Sequence, residues 1–274
     1  MNSPNRRNFL RDLGLGMAAL PAAERSATGQ LPGAPPSGGS TTQVSPPLSV
    51  MAIAAHPGDG FFAMGAPVAL QVHLGGKGVF LSLSLGERGS AKMPPAEYGA
   101  LQRQSSDRAA QMLGASTEFL TYPDGEVPAS EEAKLRVCDL IRQDKPDVIV
   151  THWRGSWHKD HQACHQVVND AVFYAGLPAL SRQLPAHSVK KIFFADNWED
   201  ADGFVADTYL DISPIFDRWM EACAVFPMWR GENGFRYNDY YRSLAIGRGC
   251  LGGSPYAVAL MSSPEQLVHH VHAL

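Results

Sequence analysis

From about residue 48 onward, short apolar runs alternate with longer stretches whose apolar side chains recur every three or four positions. The first run, Leu48-Ser49-Val50-Met51-Ala52-Ile53-Ala54, is bounded by Pro46-Pro47 and Pro57-Gly58. It predicts a short buried strand. Phe61 to Leu74 has helical spacing with Pro67 in its early turns, so the helix proper is expected to start about there and to close at Gly75-Gly76. Val79 to Leu85 reads as a second strand, Tyr98 to Leu113 as a helix stopped by Gly114, and Thr117 to Leu120 as a third strand. Glu131 to Arg142 is helical, Asp147 to Thr151 is a fourth strand, and Asp160 to Tyr174 is the next helix. Lys191 to Phe194 and Thr208 to Asp211 follow as strands, then a helix over Ile215 to Cys223 and a tyrosine-rich closing segment. Alternation of this kind predicts an α/β, Rossmann-like, doubly wound fold, with a mainly parallel sheet and helices on both faces. There is no internal repeat.

The pattern does not reach back to the start of the chain. Asn5-Arg6-Arg7-Asn8-Phe9-Leu10-Arg11, followed by the mildly apolar Leu13 to Leu20, resembles a twin-arginine export signal. Residues 1–25 are therefore expected to direct export to the periplasm or medium. The apolar part is too short to span a bilayer, so no stable membrane insertion of the mature chain is expected. Residues 26–47 are rich in Gly, Pro, Ser and Thr and read as a linker. Residues 48–274 then form the folded domain, and a chain of 274 residues with 45% hydrophobic content suffices for a full core. The 23 basic and 27 acidic side chains give a formal charge of −4, with no basic stripe, which argues against nucleic acid as a partner. Export would permit disulfides, yet Cys138 and Cys164 fall within predicted helices, so buried free thiols are expected.

Candidate chemistry gathers at strand ends. Ala55-His56-Pro57-Gly58-Asp59-Gly60 leaves the first strand, presenting an imidazole and a carboxylate together at its carboxyl tip, the edge where open α/β sheets bind ligands. A further ligand is offered after the fourth strand by His158-Lys159-Asp160-His161. With Asp160 as N-cap, His161 would enter the first turn of the following helix and face the same edge. His56, Asp59 and His161 make a two-nitrogen, one-oxygen set that leaves a coordination place for water, as in catalytic zinc sites. His165, four residues after His161, leaves a His-x-x-x-His metal pair open as well.

Ala-His-Pro-x-Asp after the first strand and His-x-Asp-His opening a later helix resemble the PIG-L (LmbE-like) deacetylase family. These are zinc enzymes that remove an acetyl group from N-acetylglucosamine-type substrates. Leu85-Gly86-Glu87-Arg88-Gly89, Tyr122-Pro123-Asp124-Gly125, Thr151-His152 and Arg248 to Gly253 fall in family order. The resemblance implies Zn2+ or another divalent metal on His56, Asp59 and His161, and a small, sugar-containing substrate. It implies a transition-state-stabilising His158 oriented by Asp160, with Asp124 holding a sugar hydroxyl and Arg103 also at the substrate.

One departure bears on the chemistry. The family motif places an Asp, the proposed general base, where this chain has Gly58, and Gly60 replaces the Glu that follows. Loss of a positioned base typically costs about 10²- to 10⁴-fold. Glu87, Asp124 or His158 would have to replace it, Glu87 first because its loop leaves the neighbouring strand. Three readings follow: a deacetylase with a relocated base, a hydratase of an unsaturated oxo-acid related to oxalomesaconate-type hydratases, and an inactive metal- or sugar-binding module. Trp229 to Tyr237 is expected to be a polar, glycine-punctuated loop able to stack on a sugar or simply to cover the sheet. Gly247 to Gly252 spells Gly-x-Gly-x-x-Gly but lacks the strand before it that a dinucleotide site needs.

Overall fold

The computed structural model describes residues 47–263. The expected export signal, nearly all of the expected linker and the last residues, 264–274, lie outside the described residues. Within them the first predicted strand is β1, Ser49–Ala54. Val50, Ala52 and Ala54 point into one buried cluster and Met51, Ile53 and Ala55 into another. A strand buried on both faces has no polar alternation to show, which is why it reads as a continuous apolar run.

Seven strands form one sheet in the order β3-β2-β1-β4-β5-β7-β6. β2 is Lys77–Ser84, β3 Ser116–Tyr122, β4 Val148–Thr151 and β5 Lys191–Ala195. These five run parallel, with Met51 of β1 opposite both Val79 and Ile149. β6, Thr208–Asp211, pairs only with β7, Ala257–Ser262, and β7 runs antiparallel to β5. The fold is thus α/β, with a mostly parallel sheet as the alternation predicts. The tyrosine-rich closing segment divides into a helix followed by the six residues of β7, a strand not expected from the sequence.

The helix expected from about Pro67 is α2, Gly65–His73, and a separate short helix not expected from the sequence, α1, Pro57–Phe62, precedes it. Pro57 starts α1, where its missing N–H is harmless. The break has a visible cause. Phe61 O, which a continuous helix would give to the Gly65 N–H, instead accepts from the Trp219 indole N–H at 2.8 Å. A Cβ at Gly65 would come within 3.2 Å of that indole nitrogen.

The remaining helices are α3 (Pro95–Leu113), α4 (Glu131–Asp144), α5 (Lys159–Ala175), α6 (Phe216–Cys223) and α7 (Tyr237–Gly252). Side chains of α1, α2, α3, α6 and α7 share one core cluster and those of α4 and α5 the other, so both faces of the sheet are covered. Gly114 ends α3 in the left-handed conformation at φ 76°, the usual glycine stop. The Gly-x-Gly-x-x-Gly spelling lies inside α7, so it forms no phosphate-binding turn. Trp219, Trp229 and Tyr241 are buried in the first cluster. All four cysteines are free, and Cys138, Cys164 and Cys223 are buried.

Candidate metal centre

β1 and β4 are neighbours, but the chain leaves them in opposite directions, towards β2 on one side and β5 on the other. A crevice opens at such a switch point, outside the carboxyl ends of the strands. His56 stands two residues past the end of β1 and is the extended N-cap residue of α1, which places Asp59 in the first turn. Across the crevice, the N-cap of α5 is His158, whose Nδ1 accepts from the Asp160 N–H at 3.2 Å. The helix therefore begins two residues earlier than an Asp160 cap would make it, and His161 still falls in its first turn.

These turns bring His56, Asp59 and His161 together, with one ligand atom from each lying within 4.8 Å of the others. Asp59 Oδ2 is 3.1 Å from His56 Nδ1 and 3.2 Å from His161 Nε2. Each imidazole turns its other nitrogen to carboxylates. His56 Nε2 lies 3.1 Å from Asp124 and 3.2 Å from Asp160, and His161 Nδ1 donates to Asp200 at 2.8 Å. Carboxylates behind the imidazoles are the usual device for orienting metal-binding histidines.

The set fits a divalent cation. His161 Nε2 is buried and forms no hydrogen bond, although it faces Asp59. A buried nitrogen of this kind calls for a partner. Burial disfavours charge on His161, yet Asp59 and Asp200 outweigh it and push its pKa up to about 10. His56 is likewise raised well above the usual range, its burial overcome by Asp124, Asp160 and Asp59. Asp59 itself is held well below the carboxylate range, its burial overcome chiefly by His161. The field that favours protons on these imidazoles favours a cation between them in the same way.

A second triad, His152-His161-Asp200, is fully buried and overlaps the first. Its atoms are already committed. Asp200 accepts from Nδ1 of His152 at 2.7 Å and of His161 at 2.8 Å, and His152 Nε2 accepts from the Ala55 N–H at 3.1 Å. This triad ties the end of β1 to the end of β4 and fixes the face that His161 shows to the crevice. Replacing Asp200 by Asn would leave an amide N–H against an imidazole N–H. Calorimetric titration with Zn2+ is expected to show affinity about 10- to 100-fold weaker in Asp200→Asn.

Asp200 ends a short 3-10 turn, Trp198–Asp200, after β5, and sequence reasoning missed this segment entirely. Arg248 holds Asp196 at 2.6 Å. Asn197 donates to Asp59 Oδ1 at 3.2 Å and accepts from the Glu199 N–H at 3.2 Å. Glu199 Oε2 stands 3.5 Å from His161 Nε2. Burial and the nearby Asp59 push the Glu199 pKa up to about 7. The available signal was the polar run Asp196-Asn197-Trp198-Glu199-Asp200 directly after an apolar strand.

Other predicted residues fall differently. Asp160 does not orient His158 with its carboxylate, because that carboxylate is spent on His56 and on the N–H groups of Gly125 (2.6 Å) and Val127 (3.3 Å). His158 still lines the cavity, and burial together with His161 and His56 lowers its pKa. Its Nδ1 is an acceptor, so the neutral ring carries its proton on Nε2. Asp124 lines the cavity too, with Oδ1 on His56 and Oδ2 accepting from the Arg88 N–H at 3.0 Å. Glu87 braces that loop by accepting from the Asp124 N–H at 2.8 Å. Arg103 lies outside the cavity. Its guanidinium covers the Phe119 ring at 4.1 Å, because the helical repeat of α3 turns Gln102 rather than Arg103 to the site. His165 is not paired with His161 around a metal; its Nδ1 lies 2.9 Å from the His152 carbonyl and its ring packs on Phe194.

The cavity over the metal centre has a volume of about 240 Å³. Gly58 lies in its wall, and a Cβ there would meet Met228 Sδ at 3.1 Å and Phe62 at 3.3 Å. Apolar atoms thus stand where the motif's first carboxylate would project.

Residues 51–172 match the family described as PIG-L: GlcNAc-PI de-N-acetylase. The chain carries a PIG-L family domain. The match runs from β1 into α5 and so contains His56, Asp59 and His161, whereas Asn197, Glu199 and Asp200 lie beyond it. The chain is 26% identical over 214 residues to 4-oxalmesaconate hydratase of Pseudomonas putida, covering 75% of this chain and 81% of that one. It is 23% identical over 234 residues to diacetylchitobiose deacetylase of Thermococcus kodakarensis, covering 80% and 85%. Among solved structures, 4-carboxy-2-hydroxymuconate hydratase of Pseudomonas putida superposes with a TM-score of 0.74 at 21% identity, covering 82% of this chain and 99% of that one. The PIG-L domain is thus similar to enzymes of two reaction types.

Proposed function

We propose that the protein is a metal-dependent amide hydrolase that removes the acetyl group from an N-acetylated amino-sugar-type substrate. The observation that carries this reading is the charge of the cavity wall. It presents the carboxylates of Asp59, Asp124 and Glu199 and the imidazoles of His56 and His158, and, among the described residues, no Lys or Arg side chain. Such a wall accepts a neutral acetamido sugar and favours the cationic amine that hydrolysis leaves. A di- or tricarboxylate would meet like charges, each costly in a site partly closed to solvent. The similarity to a hydratase keeps addition of water to an unsaturated oxo-acid as the second reading.

His56, Asp59 and His161 would hold the metal, which when bound supplies a Lewis acid for the carbonyl and acidifies water at neutral pH. The relocated base in this reading is Glu199 rather than Glu87. Its carboxylate lines the cavity 3.5 Å from His161 Nε2, within one water of the ligand set, whereas Glu87 is occupied by the Asp124 N–H. Glu199 takes a proton from the attacking water as its oxygen bonds to the carbonyl carbon, then gives it to the nitrogen as the C–N bond breaks. His158 donates its Nε2–H to the oxygen that gains negative charge. Asp124 keeps His56 oriented and offers an oxygen to a substrate hydroxyl. Export by the twin-arginine route belongs to the same reading and rests on Asn5 to Arg11 and the apolar Leu13 to Leu20.

The test measures metal content and acetate release from N-acetylglucosamine-containing substrates. Stoichiometric divalent metal with acetate release is expected, and His161→Ala is expected to lose both. Bound metal without acetate release, but with hydration of an oxo-acid, would establish the second reading.

A further inference from the structure

The turn after β5, Asp196 to Asp200, is tied down at several points. Asp196 accepts from Arg248 of α7, from Nε at 2.9 Å and from Nη2 at 2.6 Å. The Asn197 carbonyl accepts from the Asp200 N–H at 2.9 Å, and the Glu199 carbonyl from the Trp157 N–H at 3.2 Å and Ser156 Oγ at 3.0 Å. These bonds hold the backbone of the turn. The Asn197 side chain, in a residue only 3% exposed, adds something else. The Glu199 N–H can only donate, so the amide oxygen of Asn197 must face it, at 3.2 Å. That leaves the amide nitrogen for Asp59 Oδ1, also at 3.2 Å. Asp59 therefore uses its two oxygens differently. Oδ2 faces His56 Nδ1 and His161 Nε2, at 3.1 and 3.2 Å, whereas Oδ1 is taken by the amide.

We propose that Asn197 is a positioning residue: by holding Oδ1, its amide makes Asp59 present one oxygen to the metal instead of two. A carboxylate can give a cation either one oxygen or both. Two imidazoles and a single oxygen leave a coordination place open, as catalysis needs, and a second oxygen from the same carboxylate would occupy it. Only an amide suits the position. A carboxylate there would set oxygen against oxygen, and a hydrocarbon would leave both Asp59 Oδ1 and the Glu199 N–H without this partner. Asn197 stands beyond residues 51–172, so the span that matches the family does not contain this device. The role presupposes that His56, Asp59 and His161 hold a metal, the reading on which it rests, and is the same whichever reaction follows.

The experiment loads the unmodified protein, Asn197→Ser and Asn197→Leu with Co2+, whose visible absorption is intense in tetrahedral sites and weak in octahedral ones. Competition with a chelator gives the affinity for Zn2+, and urea unfolding gives stability. Serine is a favoured N-cap residue and keeps the bond to the Glu199 N–H, but its hydroxyl ends one bond short of where the asparagine nitrogen meets Asp59. Leucine has the size of asparagine and removes both bonds. Intense absorption is expected for the unmodified protein. Both variants are expected to absorb more weakly and to bind Zn2+ about 10- to 100-fold less tightly. The urea midpoint is expected to fall in Asn197→Leu, which loses the cap, and to stay nearly unchanged in Asn197→Ser. An Asn197→Ser protein with unaltered absorption and Zn2+ affinity would reduce Asn197 to a cap and overturn the proposal. Weak absorption by the unmodified protein would overturn it too, because the site would then be crowded with the amide in place. Failure of the unmodified protein to bind either metal is a different result: it removes the metal reading itself, and this role with it.

Discussion

Glu199→Gln is expected to lower kcat by about 10²- to 10⁴-fold while leaving metal content and KM nearly unchanged, because it removes a proton acceptor without removing a metal ligand. The substitution keeps the shape of the side chain and its place in the wall. Its backbone N–H still caps on Asn197. A second variant ties the loss to the missing carboxylate. Gly58 has no left-handed backbone, and the atoms its Cβ would meet are the end of Met228 and the edge of Phe62. An Asp is therefore tolerated there once Met228 yields by a few tenths of an ångström, and position 58 lies in the first turn of α1, where a negative charge is favourable. Gly58→Asp in the Glu199→Gln background is expected to recover part of the rate. Rates measured at saturating metal, with metal content by elemental analysis, check both. A Glu199→Gln enzyme as fast as the unmodified one would remove Glu199 from the mechanism and return attention to Glu87.

The second large effect concerns stability. Arg142, 1% exposed, sends its guanidinium into the end of α5 and the chain that follows it. It donates to the carbonyls of Tyr174, Ala175, Leu177, Leu180 and Leu184, at 3.0, 3.2, 2.9, 3.2 and 3.0 Å. Those carbonyls include the last ones of a helix, which have no partner within the helix and carry its negative end. Tyr174, Ala175 and Leu177 keep backbone donors in Leu177, His187 and Leu180, but Arg142→Ala removes five bonds from a charged donor, worth about 1.5–3 kcal/mol apiece at most, and empties the space of a fully buried side chain. The expected loss is about 3 kcal/mol or more, read as a lower urea midpoint with an unchanged slope. Arg142→Lys is expected to recover only a fraction, because an ammonium cannot reach five acceptors in a planar fork. Since α5 also carries His161, the same variants are expected to weaken Zn2+ binding only as far as they unfold the helix.

The candidate metal centre was legible where its residues are close in sequence and follow a strand. His56 and Asp59 are three residues apart and share one turn, and His158 and His161 do the same on α5, so strand-end position and helical spacing suffice to bring each pair to the crevice. The orienting groups were not legible, because they act across the sheet. Asp200 reaches His152 and His161 over 48 and 39 residues of chain, and Asp160 reaches His56 over 104. Nothing in the spacing of Asp160 distinguishes a carboxylate turned to His158 from one turned to His56. Arg103 shows the opposite error: the residue type suited a substrate, but a helix exposes only some of its positions to any one cavity, and Gln102 holds that place.

The sequence by itself determined the α/β alternation, the doubly buried β1 and the placing of His56, Asp59 and His161 at strand ends, because these follow from local periodicity and from turns a few residues long. The tertiary structure decided the rest. It added α1 and kept it apart from α2 by giving the Phe61 carbonyl to Trp219, added β7 beside β5, and placed Met228 against Gly58. It also carried Asn197, Glu199 and Asp200 from the end of β5 to Asp59 and His161, on the helices that follow β1 and β4. Each of these is a contact between segments far apart in the chain. Such contacts are fixed by the order of strands in the sheet and by the competition for buried hydrogen-bond partners, and neither is written in the spacing of neighbouring residues.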